Sequence, residues 1–137
     1  MHGANSLTNV TSMDIPNELG YTKDHEWARI EGKNLRIGVT DYAQDALGDV
    51  VFVQLPAIGA TVTSGASFAE VESTKSVSDI YAPISGKVIE LNERLSDSPE
   101  LINTDPYGEG WICVIEAQDE GQFKELLTAD SYRDLIS

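Results

Sequence analysis

Short apolar runs separated by turn-forming residues occupy most of the chain. Strand-like runs at residues 26–30 and 35–39 flank a turn-rich cluster at residues 31–34, which predicts a β-hairpin. Between residues 58 and 91, short apolar pieces alternate with glycine and proline, and this spacing favours strands over helices. Because strands and helices do not alternate in a βαβ order, we predict a compact, mainly β unit.

The best candidate for a core strand is the run at residues 50–55. It is apolar or β-branched at nearly every position, and Pro56 ends it. An apolar run without alternation is typical of a strand that is covered on both faces. We therefore expect this strand to be buried on both sides.

Three parts of the chain carry helical signals. Asp41 is a candidate N-cap, with Gln44 three residues later and Gly48 as a stop, which predicts one short helix. Ser98 followed by Pro99 predicts the start of a second helix or helical turn. Near the end of the chain, i, i+3, i+4 spacing predicts two short amphipathic helices that cover the β unit, at Phe123, Leu126, Leu127 and at Tyr132, Leu135, Ile136.

The length of 137 residues fits one domain, because a second hydrophobic core would be too small. The first twelve residues are rich in Ser, Thr and Asn, and His2 is the only one with an acidic or basic side chain. We predict that residues 1–13 form a flexible N-terminal extension and that residues 14–137 form a single domain.

Acidic residues strongly outnumber basic ones, with 23 Asp and Glu against 9 Lys and Arg and a net charge of -14. Such a charge repels nucleic acid and anionic membranes, so we expect neither as a partner. It favours protein partners with basic surfaces, although solubility alone would also explain many of these charges. The single Cys113 cannot form an internal disulfide and is expected to be a small buried hydrophobe. No cluster of Cys and His residues predicts a metal site.

The stretch around Lys75 has the pattern of a second hairpin. Apolar and polar residues alternate on both sides of residues 73–76, so two strands joined there would place Lys75 at an exposed tip. A lysine at a tip is weak evidence by itself, because most exposed lysines are solvated charges. The residues around it at fixed separations change that assessment; they are Gly59, Val62, Gly65, Phe68, Glu72, Pro83, Gly86 and Val88.

This spacing resembles the attachment pattern of the biotinyl and lipoyl domain superfamily. Within it, Glu72-Ser73-Thr74-Lys75-Ser76-Val77-Ser78-Asp79 closely resembles the lipoylation site of the glycine cleavage H-protein family. Other segments match that family in the same order, at residues 25–27, 38–43, 47–53, 82–86 and 103–111. The resemblance implies a lipoyl-type barrel-sandwich hybrid, mainly β with a few short helices that include C-terminal ones.

The resemblance also implies covalent attachment of lipoate to Lys75. Biotin carriers of the superfamily have methionines beside the modified lysine, whereas Thr74 and Ser76 flank Lys75. The implied protein is a carrier and not an enzyme. It moves the aminomethyl group of glycine from a pyridoxal-phosphate-dependent glycine decarboxylase (P protein) to a folate-dependent aminomethyltransferase (T protein). Dihydrolipoamide dehydrogenase (L protein) then reoxidises it, and a lipoyl-attaching enzyme is a fourth implied partner.

The family shelters the carried group in an acidic cleft, which the resemblance assigns to Glu26 and Asp79. Asp24 stands where some members of the family have serine. The alternative interpretation of each of these carboxylates is a solvated surface charge without a specific role. His25 is expected to pack or to form hydrogen bonds, since no catalytic constellation accompanies it, and Trp27 and Trp111 are expected in the core.

Two other functions stay open at this point: a relay protein that passes lipoate to other complexes, and an unmodified β-rich interaction domain. Lipoylation of Lys75 would exclude the second. The oligomeric state is open, with a monomer as the default expectation. We expect the protein in the cytoplasm of a bacterium, or in the mitochondrial matrix if the source is eukaryotic.

Overall fold

Antiparallel strands dominate the computed structural model, which describes residues 13–137. The described residues form a six-stranded sheet in the order β1-β2-β3-β9-β8-β5 and a three-stranded sheet in the order β4-β6-β7. The strand bounds are β1 Gly20–Tyr21, β2 Glu26–Glu31, β3 Asn34–Val39, β4 Val50–Gln54, β5 Thr61–Val62, β6 Ser67–Ser73, β7 Val77–Tyr81, β8 Gly86–Leu91 and β9 Cys113–Ala117.

Short helices connect or flank these strands. Within residues 13–137 they are α1 Asp41–Leu47, α2 Arg94–Asp97, α3 Leu101–Thr104, a 3-10 helix at Glu120–Glu125, and α4 Ala129–Ile136. The predicted fold class, mainly β with a few short helices that include a C-terminal one, is confirmed. None of the helices in this part of the chain is long and apolar enough to cross a membrane.

The hydrophobic core has two parts. The main cluster combines residues from both sheets, and Cys113 is fully buried in it, as predicted. A second cluster joins the start of the described chain to α4 and contains Ile15, Leu19, Tyr21, Trp27, Ala129, Tyr132 and Ile136. The predicted extension at residues 1–13 lies outside the described residues except for Met13, which packs against this second cluster.

The two tryptophans differ in burial. Trp27 is fully buried, as expected. Trp111 is only half-buried and lies just before β9, with the Arg36 guanidinium 4.2 Å from its ring centroid. The core prediction therefore holds for Trp27 and only in part for Trp111.

Strand β4 is not covered on both faces, so the prediction for residues 50–55 is wrong in this respect. The register against β6 shifts between Val50 and Phe52, which makes Val51 the extra residue of a β-bulge. Val51 and Phe52 are 53% and 50% exposed, whereas Val50 and Val53 are buried. The outer face of the three-stranded sheet therefore carries apolar side chains in contact with solvent.

Helix α1 is capped by Thr40 and not by Asp41. The Thr40 Oγ1 atom accepts a hydrogen bond from the Ala43 backbone N–H at 3.1 Å. Asp41 is instead the first helical residue, where its charge complements the helix dipole. Gly48 ends the helix as predicted, with a φ of +80° that favours glycine.

The other helical predictions are met in part. Helix α3 begins two residues after Pro99, but no side-chain cap from Ser98 is present, and α2 lies where no helix was predicted. Of the two C-terminal helices, the first is a 3-10 helix capped by Asp119. In α4, Tyr132 and Ile136 are buried, while Leu135 is about half exposed.

Candidate functional site

The hairpin of β6 and β7 carries Lys75 at its exposed tip, as predicted. Ser73 closes the turn, because its backbone N–H donates to the Ser76 carbonyl at 2.8 Å. Its Oγ accepts hydrogen bonds from the backbone N–H groups of Lys75 and Ser76, both at 3.1 Å. Such a serine turn explains how these residues form a tight tip without an Asn-Gly sequence.

A loop beneath the turn braces it from the side of α1. The Thr74 backbone N–H donates to the Asp49 carbonyl at 3.0 Å. At the neighbouring Gly48, a Cβ atom would lie 3.0 Å from Lys75 Cε, so the stem of the lysine passes directly over this glycine. A side chain at residue 48 would crowd the lysine as well as strain the backbone.

Asn103 in α3 holds this loop. Its Nδ2 donates to the Gly48 carbonyl at 2.8 Å, and its Oδ1 accepts from the Val50 backbone N–H at 2.9 Å. Analysis of the sequence did not single out Asn103, although it opens the 103–111 segment that resembles the family. No local pattern reveals this contact, because the bonded residues are more than fifty positions apart.

The Lys75 amine is available for acylation. The residue is exposed, and no carboxylate of the described residues forms an ion pair with it. A lysine amine on a flexible stem can form an amide, which removes its charge and tethers the attached group.

A cavity of about 330 Å³ lies near the opposite end of β7. Four separate segments of the chain form its walls, between residues 21 and 127. Both polar and apolar residues line it, and they include Thr22, Asp24, Glu26, Tyr81, Pro83 and Leu126.

Glu26 is the buried carboxylate of this cavity, with only 1% of its surface exposed. Its Oε1 accepts a hydrogen bond from Thr22 Oγ1 at 2.5 Å, and its Oε2 accepts one from the Tyr81 backbone N–H at 3.2 Å. Burial raises the pKa of Glu26 to about 7, and the two hydrogen bonds oppose this rise. Glu26 can therefore gain or lose its charge near neutral pH.

The other two predicted carboxylates lie in different places. Asp24 is exposed and lines the cavity beside Glu26. Asp79 is exposed on β7, accepts a hydrogen bond from Ser67 Oγ at 3.2 Å, and is not among the residues that line the cavity. The structure thus brings Asp24 and Glu26 together and leaves Asp79 outside the cavity.

Strand β7 connects the lysine with the cavity. A strand advances by roughly 3.3 Å per residue, so Asp79 lies about 13 Å and Tyr81 about 20 Å along the chain from Lys75. Asp79 consequently lies between the tip and the cavity at Tyr81.

Sequence reasoning missed several residues of the cavity. Thr22 supports Glu26, and its position at the start of the 22–25 turn was a signal that could have found it, since threonine hydroxyls often bond within turns. Lys23 and Glu125 also line the cavity. The contact from Tyr81 had no signal at all, because a backbone N–H carries no residue-specific pattern.

His25 connects the cavity segment to the C-terminal helix. Its Nδ1 lies 2.8 Å from the Tyr132 hydroxyl, which is also 2.8 Å from Thr40 Oγ1. Its ring packs on Tyr42 with centroids 4.7 Å apart, and burial lowers the pKa of His25. The φ of +72° at His25 is a strained conformation that these contacts stabilise. The predicted packing and hydrogen-bonding role is confirmed.

Comparisons with known proteins agree with one another. The model of the family described as Glycine cleavage H-protein matches residues 19–137. The glycine cleavage system H protein of Geobacillus kaustophilus is 54% identical over 125 residues, which cover 91% of this chain and 98% of that protein. The Thermus thermophilus protein of the same name is 53% identical over 124 residues, or 90% of this chain and 97% of that protein. The crystal structure of a glycine cleavage system H protein from Mycobacterium marinum matches with a TM-score of 0.81 and 47% identity, and covers 88% of this chain and 97% of that one.

Proposed function

The chain belongs to the glycine cleavage H-protein family, and from this membership we propose that it is a lipoate-bearing carrier of the glycine cleavage system with no catalytic activity of its own. Lys75 is the proposed attachment residue. The observation that carries this assignment is its exposed position on a turn that Ser73 closes and Asp49 braces.

The residues around Lys75 suit a covalently attached arm. The amine is exposed and outside any ion pair of the described residues, so acylation sacrifices no contact of the fold. Gly48 beneath the stem leaves room for the amide next to the turn. An arm laid along β7 passes Asp79 before it reaches Glu26.

When bound, lipoate supplies a cyclic disulfide, whose sulfur can accept the aminomethyl group of glycine. The contribution of the chain is to hold and protect that cargo. Ionised Glu26 attracts the ammonium of the carried group inside the cavity, and the exposed Asp24 adds negative charge beside it. Asp79, which is exposed on β7 between Lys75 and the cavity, offers a weaker contact for the same ammonium group.

The proposed partners are glycine decarboxylase, the aminomethyltransferase, dihydrolipoamide dehydrogenase and a lipoyl-attaching enzyme. One carrier that visits several active sites benefits from fast and reversible encounters. A net charge of -14 steers it toward basic docking surfaces without a large permanent interface. We further propose that the carrier is a monomer with one domain at residues 14–137. Since the relatives above are bacterial, we propose that it works in the bacterial cytoplasm.

The test is a peptide mass measurement after incubation with a lipoate ligase, lipoate and ATP. We expect the mass of one lipoyl group on the peptide that contains Lys75 and none on the peptide that contains Lys33, a lysine in the turn between β2 and β3. Lipoylation elsewhere, or nowhere, would contradict the assignment.

A second measurement separates the carrier from a lipoate relay. The lipoylated protein should stimulate release of carbon dioxide from glycine by a bacterial glycine decarboxylase, and the unmodified protein should not. Lipoylation without any stimulation would favour the relay.

A further inference from the structure

Three exposed apolar side chains surround the base of the hairpin tip. Val51, Phe52 and Val77, here called the tip patch, are 53%, 50% and 61% exposed. Val77 lies two positions after Lys75. Single apolar side chains on a surface are common, but adjacent ones indicate an interaction site.

The strand register places Phe52 and Val77 on the same face of the three-stranded sheet, one strand apart. Phe52 lies opposite Glu72, and Glu72 lies opposite Val77. Phe52, Glu72 and Val77 therefore form one row across β4, β6 and β7. Directly paired residues in adjacent strands lie about 5 Å apart, so Phe52 and Val77 lie about 10 Å apart with Glu72 between them. The bulge brings Val51 to the same exposed side as Phe52.

The fold does not need apolar residues at these positions. Val50, Val53 and Val71 of the same sheet are buried and contribute to the main core. A bulge next to a candidate site often serves to re-aim side chains. Here it turns two large apolar groups of β4 away from the core, close to the point where β4 pairs with Ser73 of the turn.

Carboxylates complete this surface. Glu72 lies within the row of the tip patch, and Glu70 and Asp79 form a pair in the next row. A second copy of this chain would bring like charges together across such an interface, which disfavours self-association through it. The complementary partner has an apolar centre and a basic rim.

The position of the patch selects among the proposed partners. An enzyme that acylates Lys75 must bring its active site to the amine itself, so its surface has to cover the hairpin tip. Enzymes that act on the far end of a long arm have no such requirement. We propose that the tip patch is the docking surface for the lipoyl-attaching enzyme, an inference that rests on the proposed lipoylation of Lys75.

The test measures the kinetics of attachment with the full-length, unmodified protein. The substitutions are Phe52→Thr and Val77→Thr, alone and together, because threonine is polar and its β-branched side chain is favoured in strands. Ile58→Thr is the matched control, since Ile58 is also 61% exposed but lies in the turn after β4. A lipoate ligase with lipoate and ATP is the probe, and intact mass gives the rate.

We expect the double variant to raise the KM for the carrier protein about tenfold with little change in kcat, as for loss of an apolar anchor in an interface. The control should match the wild type. Thermal unfolding and far-UV circular dichroism check that each variant is folded. Higher salt should raise the KM for the wild type as well, because it screens the carboxylates.

Four results would overturn the inference. Wild-type KM in the double variant, with lipoylation of Lys75 intact, would remove the docking role and leave the proposed function standing. Unchanged attachment but weaker stimulation of glycine decarboxylase would assign the patch to another partner. Self-association that the double variant abolishes would assign it to a second copy. Failure of the wild type to accept lipoate would remove both the docking role and the proposed function.

Discussion

The two ends of strand β7 are built in different ways. At one end, Lys75 is exposed on a turn made by four consecutive residues and braced by one backbone contact from Asp49. At the other end, Glu26 is buried in a cavity whose walls come from four distant segments. The tip depends on local sequence, whereas the cavity depends on the packing of the whole domain.

Under the proposed function, this difference between the two ends has a mechanistic meaning. An attachment point has to be reached by an enzyme, so it is exposed and contributes little to folding. A shelter for an ammonium group has to hold a carboxylate away from water. Burial of that charge lowers the stability of the fold. Substitutions at the tip should therefore change lipoylation and leave stability unchanged. Substitutions at the cavity should change both the protection of the carried group and the stability of the fold.

The largest expected effect is at the tip. Lys75→Arg should abolish lipoylation completely, because a guanidinium does not form the required amide under these conditions. The free energy of unfolding should stay within about 0.5 kcal/mol of the wild type, as for exposed residues generally. Intact mass and urea denaturation measure the two quantities, and Lys33→Arg is the control in another turn. A large loss of stability in Lys75→Arg would break the contrast.

The second effect is the pH dependence of stability at the cavity. The Glu26 carboxyl has a pKa of about 7 in the folded state and an ordinary value near 4.5 when unfolded. The contribution of Glu26 to stability is therefore highest below pH 4.5 and falls as pH rises from 4.5 to 7, because the folded chain retains on Glu26 a proton that the unfolded chain has released.

The free energy of unfolding changes by about 3 kcal/mol over this range, because each unit of difference between the folded and unfolded pKa of Glu26 corresponds to about 1.36 kcal/mol. Glu26→Gln should remove this change, so that the variant gains stability relative to the wild type between pH 5 and pH 8. Urea denaturation of both proteins at several pH values measures this difference. If the free energies of unfolding of the wild type and Glu26→Gln changed with pH in parallel, Glu26 would not be buried in its charged form.

The third effect concerns protection of the carried aminomethyl group. At pH 8, Glu26→Gln should speed its hydrolysis about tenfold, which corresponds to the loss of one charge pair worth roughly 1.4 kcal/mol. For the wild type, protection should improve as pH rises through about 7, since Glu26 then becomes ionised. The rate of ammonia or formaldehyde release from the loaded protein is the measurement.

Asp79→Asn serves as the comparison for that experiment. Asp79 does not line the cavity, so we expect its effect on hydrolysis to stay below about twofold, as for an exposed ion pair. Equal effects of the two substitutions would show that the carried group rests along β7 and not in the cavity. An unchanged rate in Glu26→Gln would refute the protective role of Glu26.

The smallest effect compares one hydrogen-bonding side chain from each end. Tyr132→Phe removes the hydroxyl shared by His25 and Thr40 and should cost roughly 1–2 kcal/mol of unfolding free energy, because buried partners lose their bond. Ser73→Ala removes the serine of the exposed turn and should cost under about 0.5 kcal/mol, since water replaces the lost contact. Thermal and urea unfolding measure both. Similar costs would mean that the turn is a structural element of the fold.

Local patterns were sufficient where neighbours in sequence are also partners in space. The alternation around Lys75 predicted the hairpin, and Gly48 predicted the end of α1, since both features arise within a few residues. The error at the helix cap was one residue, because Thr40 and Asp41 are both good caps and only the extended backbone of Thr40 decides between them. The error at β4 was larger, since an apolar run does not reveal a bulge that exposes Val51 and Phe52.

The sequence by itself therefore determined the fold class, the hairpin and the exposure of Lys75, because periodicity and turn chemistry act over short distances. Only the tertiary structure decided that Tyr81 donates to Glu26 across 55 positions and that Asn103 holds the loop under Lys75. It also placed Asp79 outside the cavity. The physical reason is that burial, which raises the pKa of Glu26, is a property of packed segments and not of any single stretch of chain.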